Sequence, residues 1–331
     1  MKKLYSFIAT MVISIVVFGQ VSLTTLNTAY TQNFDGLAST GTGTGTVTTT
    51  GTSGSKVASV ILSGSLSGWY FVETTTNADG VYTASTGSAT AGDTYSYGAS
   101  SSTERALGSI ASGNLLSRYG AQFTNNTGNT IDQLDISYVG EEWRFDPARG
   151  TTIKDQITFE YSTDATSLTT GTWTAVTALL YETTNLTGTV GTRNGNDAAY
   201  RTSLSNTITG INIATGQTFW IRFVDVNVSG TDDGLAIDDF SLTPKNSTLS
   251  VGDVIKSKNI FLKNTMVDNT LSFQAKGNAS VKVYNANGQL VKTANVSAQN
   301  ANVNVANLPK GNYVVTAELN GEKISQKVIK K

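Results

Sequence analysis

The sequence predicts an all-β protein: a jelly-roll β-sandwich over residues 20–243, then a small immunoglobulin-like β-sandwich over residues 258–331. Three observations carry that expectation. Short apolar runs recur along the chain, each bounded by Gly, Asn, Asp or Ser, and no long window has the period of an amphipathic helix. Thirty-two glycines against three prolines supply many tight turns between strands. Charged residues make up 14% of the chain and apolar residues 39%, which is not the composition of a disordered chain.

In chain order, Met1-Lys2-Lys3 and the apolar run Leu4 to Phe18 have the charged and hydrophobic regions of a secretory signal peptide. That run is shorter than the roughly 20 residues a bilayer span requires. Cleavage after Gly19 would leave Gln20 at the mature terminus, and no later run is long and apolar enough to cross a membrane. Ala29 to Phe34 reads as a first strand. Gly41 to Ser55 is a low-complexity Gly/Thr/Ser stretch with little to bury, so it is expected as a flexible loop.

The runs that follow are Gly68 to Glu73, Val81 to Ala84, Thr94 to Tyr97, Arg105 to Ile110, Gly120 to Phe123 and Ile131 to Tyr138. After them come Gln156 to Tyr161, Trp173 to Leu180, Thr207 to Ile213, Phe219 to Val226 and Leu235 to Leu242. Period-2 alternation puts Ile157, Phe159 and Tyr161 on one face of their strand and Phe219, Ile221 and Phe223 on one face of theirs, and these faces are expected to meet in the core. Residues 244–257 read as a polar linker. Seven shorter strands then fit residues 258–331: Asn259 to Leu262, Thr270 to Gln274, Ser280 to Tyr284, Leu290 to Ala294, Asn302 to Val305, Asn312 to Leu319 and Lys323 to Ile329. Asn287-Gly288 marks a hairpin, because both residues tolerate positive φ.

Charge divides the chain the same way. Between Gln20 and Thr243 there are nine basic and twenty acidic residues; from Pro244 onward there are twelve lysines and four acids. The acidic first part argues against nucleic acid as a ligand. The lysines of the second suit either an acidic surface or simply a solvated face. The chain has no cysteine and no histidine. That removes disulfides, thiol nucleophiles, the usual structural zinc sites and the Ser-His-Asp arrangement, leaving carboxylate or lysine chemistry and oxygen-ligand metals such as calcium.

Val281-Lys282-Val283-Tyr284-Asn285-Ala286-Asn287-Gly288-Gln289-Leu290-Val291, then Leu308-Pro309-Lys310-Gly311-Asn312-Tyr313-Val314-Val315, then the closing Lys327-Val328-Ile329-Lys330-Lys331 stand in order at the C-terminus. These motifs resemble those of type A sorting domains of the type IX secretion system in Bacteroidetes. One departure is that Ile260-Phe261-Leu262 runs into Lys263-Asn264 where the family usually has a Pro-Asn-Pro-like motif. The resemblance implies sorting-motif roles for Val283, Tyr284, Gly288, Leu308, Pro309, Gly311, Tyr313, Lys330 and Lys331. It also implies recognition by the outer-membrane translocon and its sorting peptidase, with release from the cell or attachment to surface lipopolysaccharide after passage through the periplasm.

The pieces Asn33 to Leu37, Arg105 to Ser109, Phe123 to Gly128, Ile136 to Arg144 and Gly234 to Leu242 resemble secreted bacterial jelly-roll modules of unassigned activity, which implies a fold more than a function.

Asp225 to Gly234 spaces its oxygens like an EF-hand loop, but Ala236 holds the twelfth position and the flanks read as strands, so an EF-hand is not expected. Asp35 near the first strand and Asp238 and Asp239 on the last are candidate calcium ligands; the alternative is that they cap turns. Glu141, Glu142 and Asp146 flank Trp143, and paired carboxylates are what a glycosidase requires. Adjacent residues of a strand point to opposite sides, however, so Glu141 and Glu142 are not expected to work together, and at least one should be solvated or paired with Arg144 or Arg149. Trp69, Tyr70 and Trp143 are candidate ligand-binding aromatics, whereas Trp220 within its apolar strand is expected in the core. The expectation is a secreted or surface-attached, non-catalytic sandwich for adhesion or glycan contact. The alternative is a secreted carbohydrate-active hydrolase that uses carboxylates only.

Overall fold

The computed structural model describes residues 19–247 except 53 and 184, and residues 259–331. The expected signal peptide, apart from Gly19, and residues 248–257 of the expected linker lie outside the described residues. The chain divides into two compact units, Met1–Ser247 and Thr248–Lys331. Among the described residues there is no α-helix, only three 3-10 turns.

Two nine-stranded sheets make up the first unit. One runs in the order Thr174–Ala175, Gln156–Ser162, Thr218–Val226, Leu116–Asn125, Trp69–Thr75, Lys56–Ile61 and Thr46–Thr50. Val21–Leu23 adds to Leu116–Asn125 in parallel, and Tyr181–Glu182 adds to Gln156–Ser162. The other runs Gly191–Thr192, Ile131–Phe145, Gly234–Lys245, Ala106–Ile110, Asp93–Tyr97, Tyr82–Ser85 and Thr42–Gly43. Here Arg201–Ile213 lies along Ile131–Phe145 and Tyr30–Gln32 along Gly234–Lys245. The chain crosses repeatedly from sheet to sheet, as a jelly roll does.

Alternation along each strand turns one row of apolar side chains into the space between the sheets. Phe223 stands at the centre of that space. Its cross-strand partners are Phe159 and Tyr119. From the facing sheet the Tyr138 and Phe240 rings meet it edge-on, at 4.9 Å and 6.1 Å between centroids. Ile157, Phe159, Phe219 and Ile221 are all buried, as their spacing predicts. They lie side by side in one sheet rather than across from each other, and the opposite wall is built from Leu134, Ile136, Tyr138, Leu235, Ile237 and Phe240.

Four expectations are corrected. The stretch Gly41 to Ser55 contains the strands Thr42–Gly43 and Thr46–Thr50, the latter paired with Lys56–Ile61 although every one of its residues is exposed. Threonine's branched Cβ favours extended backbone even where nothing is buried. Trp173 to Leu180 is not one strand: Thr174–Ala175 pairs briefly, then Thr177–Leu179 turns as a 3-10 segment that buries Leu179. Val21–Leu23 and Lys56–Ile61 are strands without a sequence expectation, and Ile131–Phe145 and Arg201–Ile213 are longer than their apolar runs. The linker also begins later than residue 244. Pro244 and Lys245 belong to the last strand, the Asn246 amide donates to the Thr130 carbonyl, and the Ser247 backbone amide donates to Asp132.

The second unit is a three-stranded sheet, Ile260–Leu262, Thr270–Ala275 and Asn302–Asn304, with a five-stranded sheet, Met266–Val267, Glu322–Lys330, Gly311–Leu319, Ala279–Asn285 and Leu290–Val296. Its own core joins Ile260, Leu271, Phe273, Val281, Val283, Val315 and Val328. All seven expected strands are present, and Met266–Val267 is added. The departure at Lys263-Asn264 does not disturb the first strand: the Asn264 side chain donates to the Thr270 carbonyl and accepts from the Ser272 amide, tying it to its neighbour. Gly288 takes φ 78°, as the Asn287-Gly288 turn requires.

Phe223→Ala removes a ring touched from both sheets, so it should cost about 3–5 kcal/mol. Equilibrium urea unfolding of the protein checks this through a lower midpoint at an unchanged slope.

Candidate functional site

The strand Gly234–Lys245 changes side-chain phase part-way along. Leu235 and Ile237 face the core, and so do Phe240 and Leu242. An extra residue between them makes the switch: Ser137 pairs with Ser241 but Val139 with Asp238, and Asp239 sits at φ 49° in the bulge. A second irregularity falls between Glu142 and Arg144 on the neighbouring strand. β-Bulges re-aim side chains in this way. Between these two points, Ala236, Asp238, Glu141 and Trp143 stand on the side of the sheet away from the main core. There Trp143, Tyr95, Tyr97, Ala106, Ile110 and Ala236 form a small cluster of their own.

The loop after Thr192 covers this face. Its Gly195 backbone packs so closely on the Trp143 indole that a Cβ there would stand 2.4 Å from Nε1. Under it, Glu104, Glu141 and Asp238 come together, each with a carboxylate oxygen within 4.8 Å of the others'. Trp143 Nε1 donates to Glu141 Oε2 at 2.9 Å, and the Asn196 side-chain amide donates to Glu104 Oε2. Burial pushes the Glu141 carboxyl up to about 7. Asp238 is raised as well, first by burial and then by its carboxylate neighbours.

The structure does not assemble the trio Asp35, Asp238 and Asp239. Asp35 is exposed, accepting from the Asn33 side-chain amide at 2.5 Å and, across the fold, from the Arg105 backbone amide at 3.1 Å. Asp239 points to solvent and pairs with Arg201 at 3.4 Å. Only Asp238 joins a cluster, and its companions are Glu104 and Glu141. Glu104 carries no sequence signal of its own, since it is brought in by sheet pairing. Glu141 and Glu142 do point to opposite sides. Neither, however, is solvated or paired with Arg144 or Arg149, because both are fully buried. Glu142 instead accepts from Thr183 and Asn185.

Trp69 and Trp143 are not exposed binding platforms. Trp69 is 0% exposed, lies against Phe34, Phe223 and Phe240, and donates to the Tyr30 hydroxyl at 2.9 Å. Trp143 is 1% exposed and stacks on Tyr97. Charged neighbours in sequence mislead here, because the covering loop that buries Trp143 comes from some fifty residues downstream. Trp220 is buried, but on the outer face of its sheet with Val72, Ala165 and Leu168 rather than in the core between the sheets.

Tyr70 is half-buried and packs on Trp220 at 4.8 Å between ring centroids. The two form the floor of a cleft on the outer face of the other sheet, with Thr48, Ser59, Gln122 and Ser167 among its polar lining. Arg222 steadies the nearby loop, stacking 3.9 Å from the Trp173 ring centre and donating to the Leu168 carbonyl and to Glu160.

Two further acidic groups are accounted for by internal bonds. Asp233, in the loop with EF-hand-like spacing, makes a buried pair with Arg149 and accepts from the Asp146 backbone, while Asp155 accepts from the Asp233 amide. Glu73, fully buried, accepts from the Asp79 and Gly80 amides and from Thr94. Burial nonetheless pushes its carboxyl up to about 7.

In the second unit the motif residues are largely structural. Val283 and Tyr313 are buried, Leu308 packs on the core, and the Tyr313 hydroxyl donates to the Pro309 carbonyl at 2.6 Å. Gly311 has φ 151°. The Lys330 ammonium reaches the Asp268 carbonyl, and the Lys331 backbone amide donates to the Val267 carbonyl. Residues 266–331 match the family model of the secretion system C-terminal sorting domain. The second unit is a sorting domain. It indicates export to the cell surface or the extracellular space, and an interaction with the secretion system.

No curated protein matches the chain. A solved structure of a biofilm associated protein, BSP domain, is 13% identical over 68% of this chain. This chain spans 49% of that one, and the TM-score of 0.17 is too low to carry an argument. Among the described residues no helix is long and apolar enough to cross a membrane.

The raised Glu73 carboxyl makes stability depend on pH. In the unfolded chain it ionises near 4.5, in the folded one near 7, so its contribution is full below about 4.5 and is lost as pH rises through about 7. Glu73→Gln should therefore flatten the fall of unfolding free energy across that window, measured by urea titrations at a series of pH values.

Proposed function

We propose that the protein is a non-catalytic β-sandwich, secreted or held at the cell surface, whose first unit contacts extracellular glycan and whose sorting domain delivers it. The observation that carries this reading is the cleft over half-buried Tyr70, whose ring is backed by the buried Trp220. Sugar rings present C–H faces that stack on aromatic side chains, while their hydroxyls bond to polar groups around the rim. Thr48, Ser59, Gln122 and Ser167 supply such groups, and among the described residues no carboxylate lines the cleft. A glycosidase would need two carboxylates there, flanking the bond to be cleaved. The acidic surface of the first unit further favours neutral or basic ligands over nucleic acid.

For delivery, the exposed face of the five-stranded sheet offers a surface to read. Leu290, Tyr284, Val314 and Lys327 are cross-strand neighbours in one row over four strands. Leu290 is 51% exposed and Val314 40%, apolar area that the fold itself does not use. This row is the part of the sorting signal open to the translocon and its peptidase, whereas Val283, Tyr313 and Lys330 hold the shape.

On a glycan array, the purified protein should bind at least one class, and Tyr70→Ala should weaken that binding by about tenfold or more. Turnover of a bound glycan would replace this reading with the hydrolase. In cells, Val314→Asp should leave the protein in the periplasm while the sorting domain, examined by circular dichroism, stays folded. Normal surface delivery of that variant would remove the proposed reading surface.

A further inference from the structure

We propose that Glu104, Glu141 and Asp238 form a calcium site beneath the loop that covers Trp143. The carboxylates are close enough to share one ion. Calcium takes oxygen ligands at about 2.3–2.6 Å, so two oxygens on the same ion stand at most about 5 Å apart. Here the three residues each offer one within 4.8 Å of the others.

Proximity of acids is not sufficient, and the second observation concerns hydrogen bonds. Glu141 is 0% exposed and Asp238 4%. Glu141 Oε1, Asp238 Oδ1 and Glu104 Oε1 are each enclosed with no hydrogen-bond partner on the protein. A buried charged oxygen without a partner is costly, and each such group in a folded protein calls for a compensating one. Among the described residues no lysine or arginine forms an ion pair with any of the three. Even Arg105, next to Glu104 in sequence, spends its guanidinium on the Ser96 hydroxyl and on the Ser96 and Ser85 carbonyls.

The remaining oxygens are already oriented. Trp143 holds Glu141 Oε2 and Asn196 holds Glu104 Oε2, which leaves the partnerless oxygens of these two residues free for a ligand. The other acidic group of similar spacing, Glu73, Asp79 and Asp93, serves as an internal comparison. There the carboxylates accept from backbone amides and from threonine hydroxyls, and none has an enclosed oxygen without a partner.

The donor set selects the ion. Three carboxylates with no nitrogen or sulfur donor suit a hard cation. Magnesium keeps most of its water in strict octahedral geometry, whereas calcium accepts irregular carboxylate ligation. A covered site with little room for a water shell therefore favours calcium. The ion would cross-link the start of the Ala106–Ile110 strand, the strands Ile131–Phe145 and Gly234–Lys245 and, through Asn196, the covering loop. Two protons bridging three neutral-to-charged carboxyls would be the competing arrangement, and it predicts no response to calcium.

The test uses the chelator-treated protein with calcium chloride alone. Calcium should raise the melting temperature in a saturable way, with magnesium at the same concentration far less effective. Terbium, which occupies calcium sites, should show emission excited through Trp143 that saturates at one equivalent per chain and is displaced by excess calcium. Asp238→Asn and Glu141→Gln should abolish both responses, and Asp35→Asn and Asp93→Asn should leave them. An unmoved melting temperature with no sensitised emission in the unsubstituted protein overturns the site, whether or not the two variants fold. Loss of the response in Asp35→Asn or Asp93→Asn overturns this choice of ligands.

Discussion

Aromatic rings from both sheets close on Phe223, and the rest of the first unit is arranged around that contact. Phe159 and Tyr119 flank it within its own sheet, and Tyr138 and Phe240 reach it from the other. Rings packed edge to face combine large apolar burial with a defined mutual orientation, so they fix the register of the strands that carry them. For Phe240 to take its place, the strand Gly234–Lys245 must abandon the phase set by Leu235 and Ile237. The bulge at Asp239 makes that possible, while Asp238, still in the phase of Leu235 and Ile237, stays on the opposite side beside Glu141.

Charge is handled differently in the two units. In the first, acids lie inside: Glu73, Glu141, Glu142, Asp155, Asp225, Asp233 and Asp238 are buried. Some are compensated by backbone amides and one by Arg149, which separates structural carboxylates from those with an oxygen left over. In the sorting domain the lysines lie mostly outside, with Lys282, Lys310, Lys323, Lys327 and Lys331 exposed and Lys330 the buried exception. That solvated face carries the exposed Leu290 and Val314 of the proposed reading surface.

The strands were legible where apolar and polar residues alternate, as in Gln156–Ser162 and Thr218–Val226, and in nearly all of the sorting domain. They were not legible where pairing alone makes the strand, as in Thr46–Thr50. The candidate site was less legible, for a physical reason. Trp143 and Glu141 have polar neighbours in sequence, yet a loop far along the chain buries both. Asp35 follows the strand that pairs with Gly234–Lys245, but spends its oxygens on the Asn33 side chain and on the Arg105 backbone seventy residues away. Glu104 has no distinguishing context until Ala106–Ile110 pairs beside Gly234–Lys245. Residues that act through distant contacts leave no pattern in a linear sequence. Turn residues such as Gly288 do, because their role is local.

Each unit has a hydrophobic cluster of its own, with no residue shared between them. The first sandwich should therefore keep its fold without the sorting domain. Scanning calorimetry of the full protein beside a chain ending at Ser247 tests this most directly. The account predicts that the shortened chain retains the melting transition of the first unit, at the same temperature and enthalpy. A shortened chain that melts markedly lower, or without a cooperative transition, would contradict it.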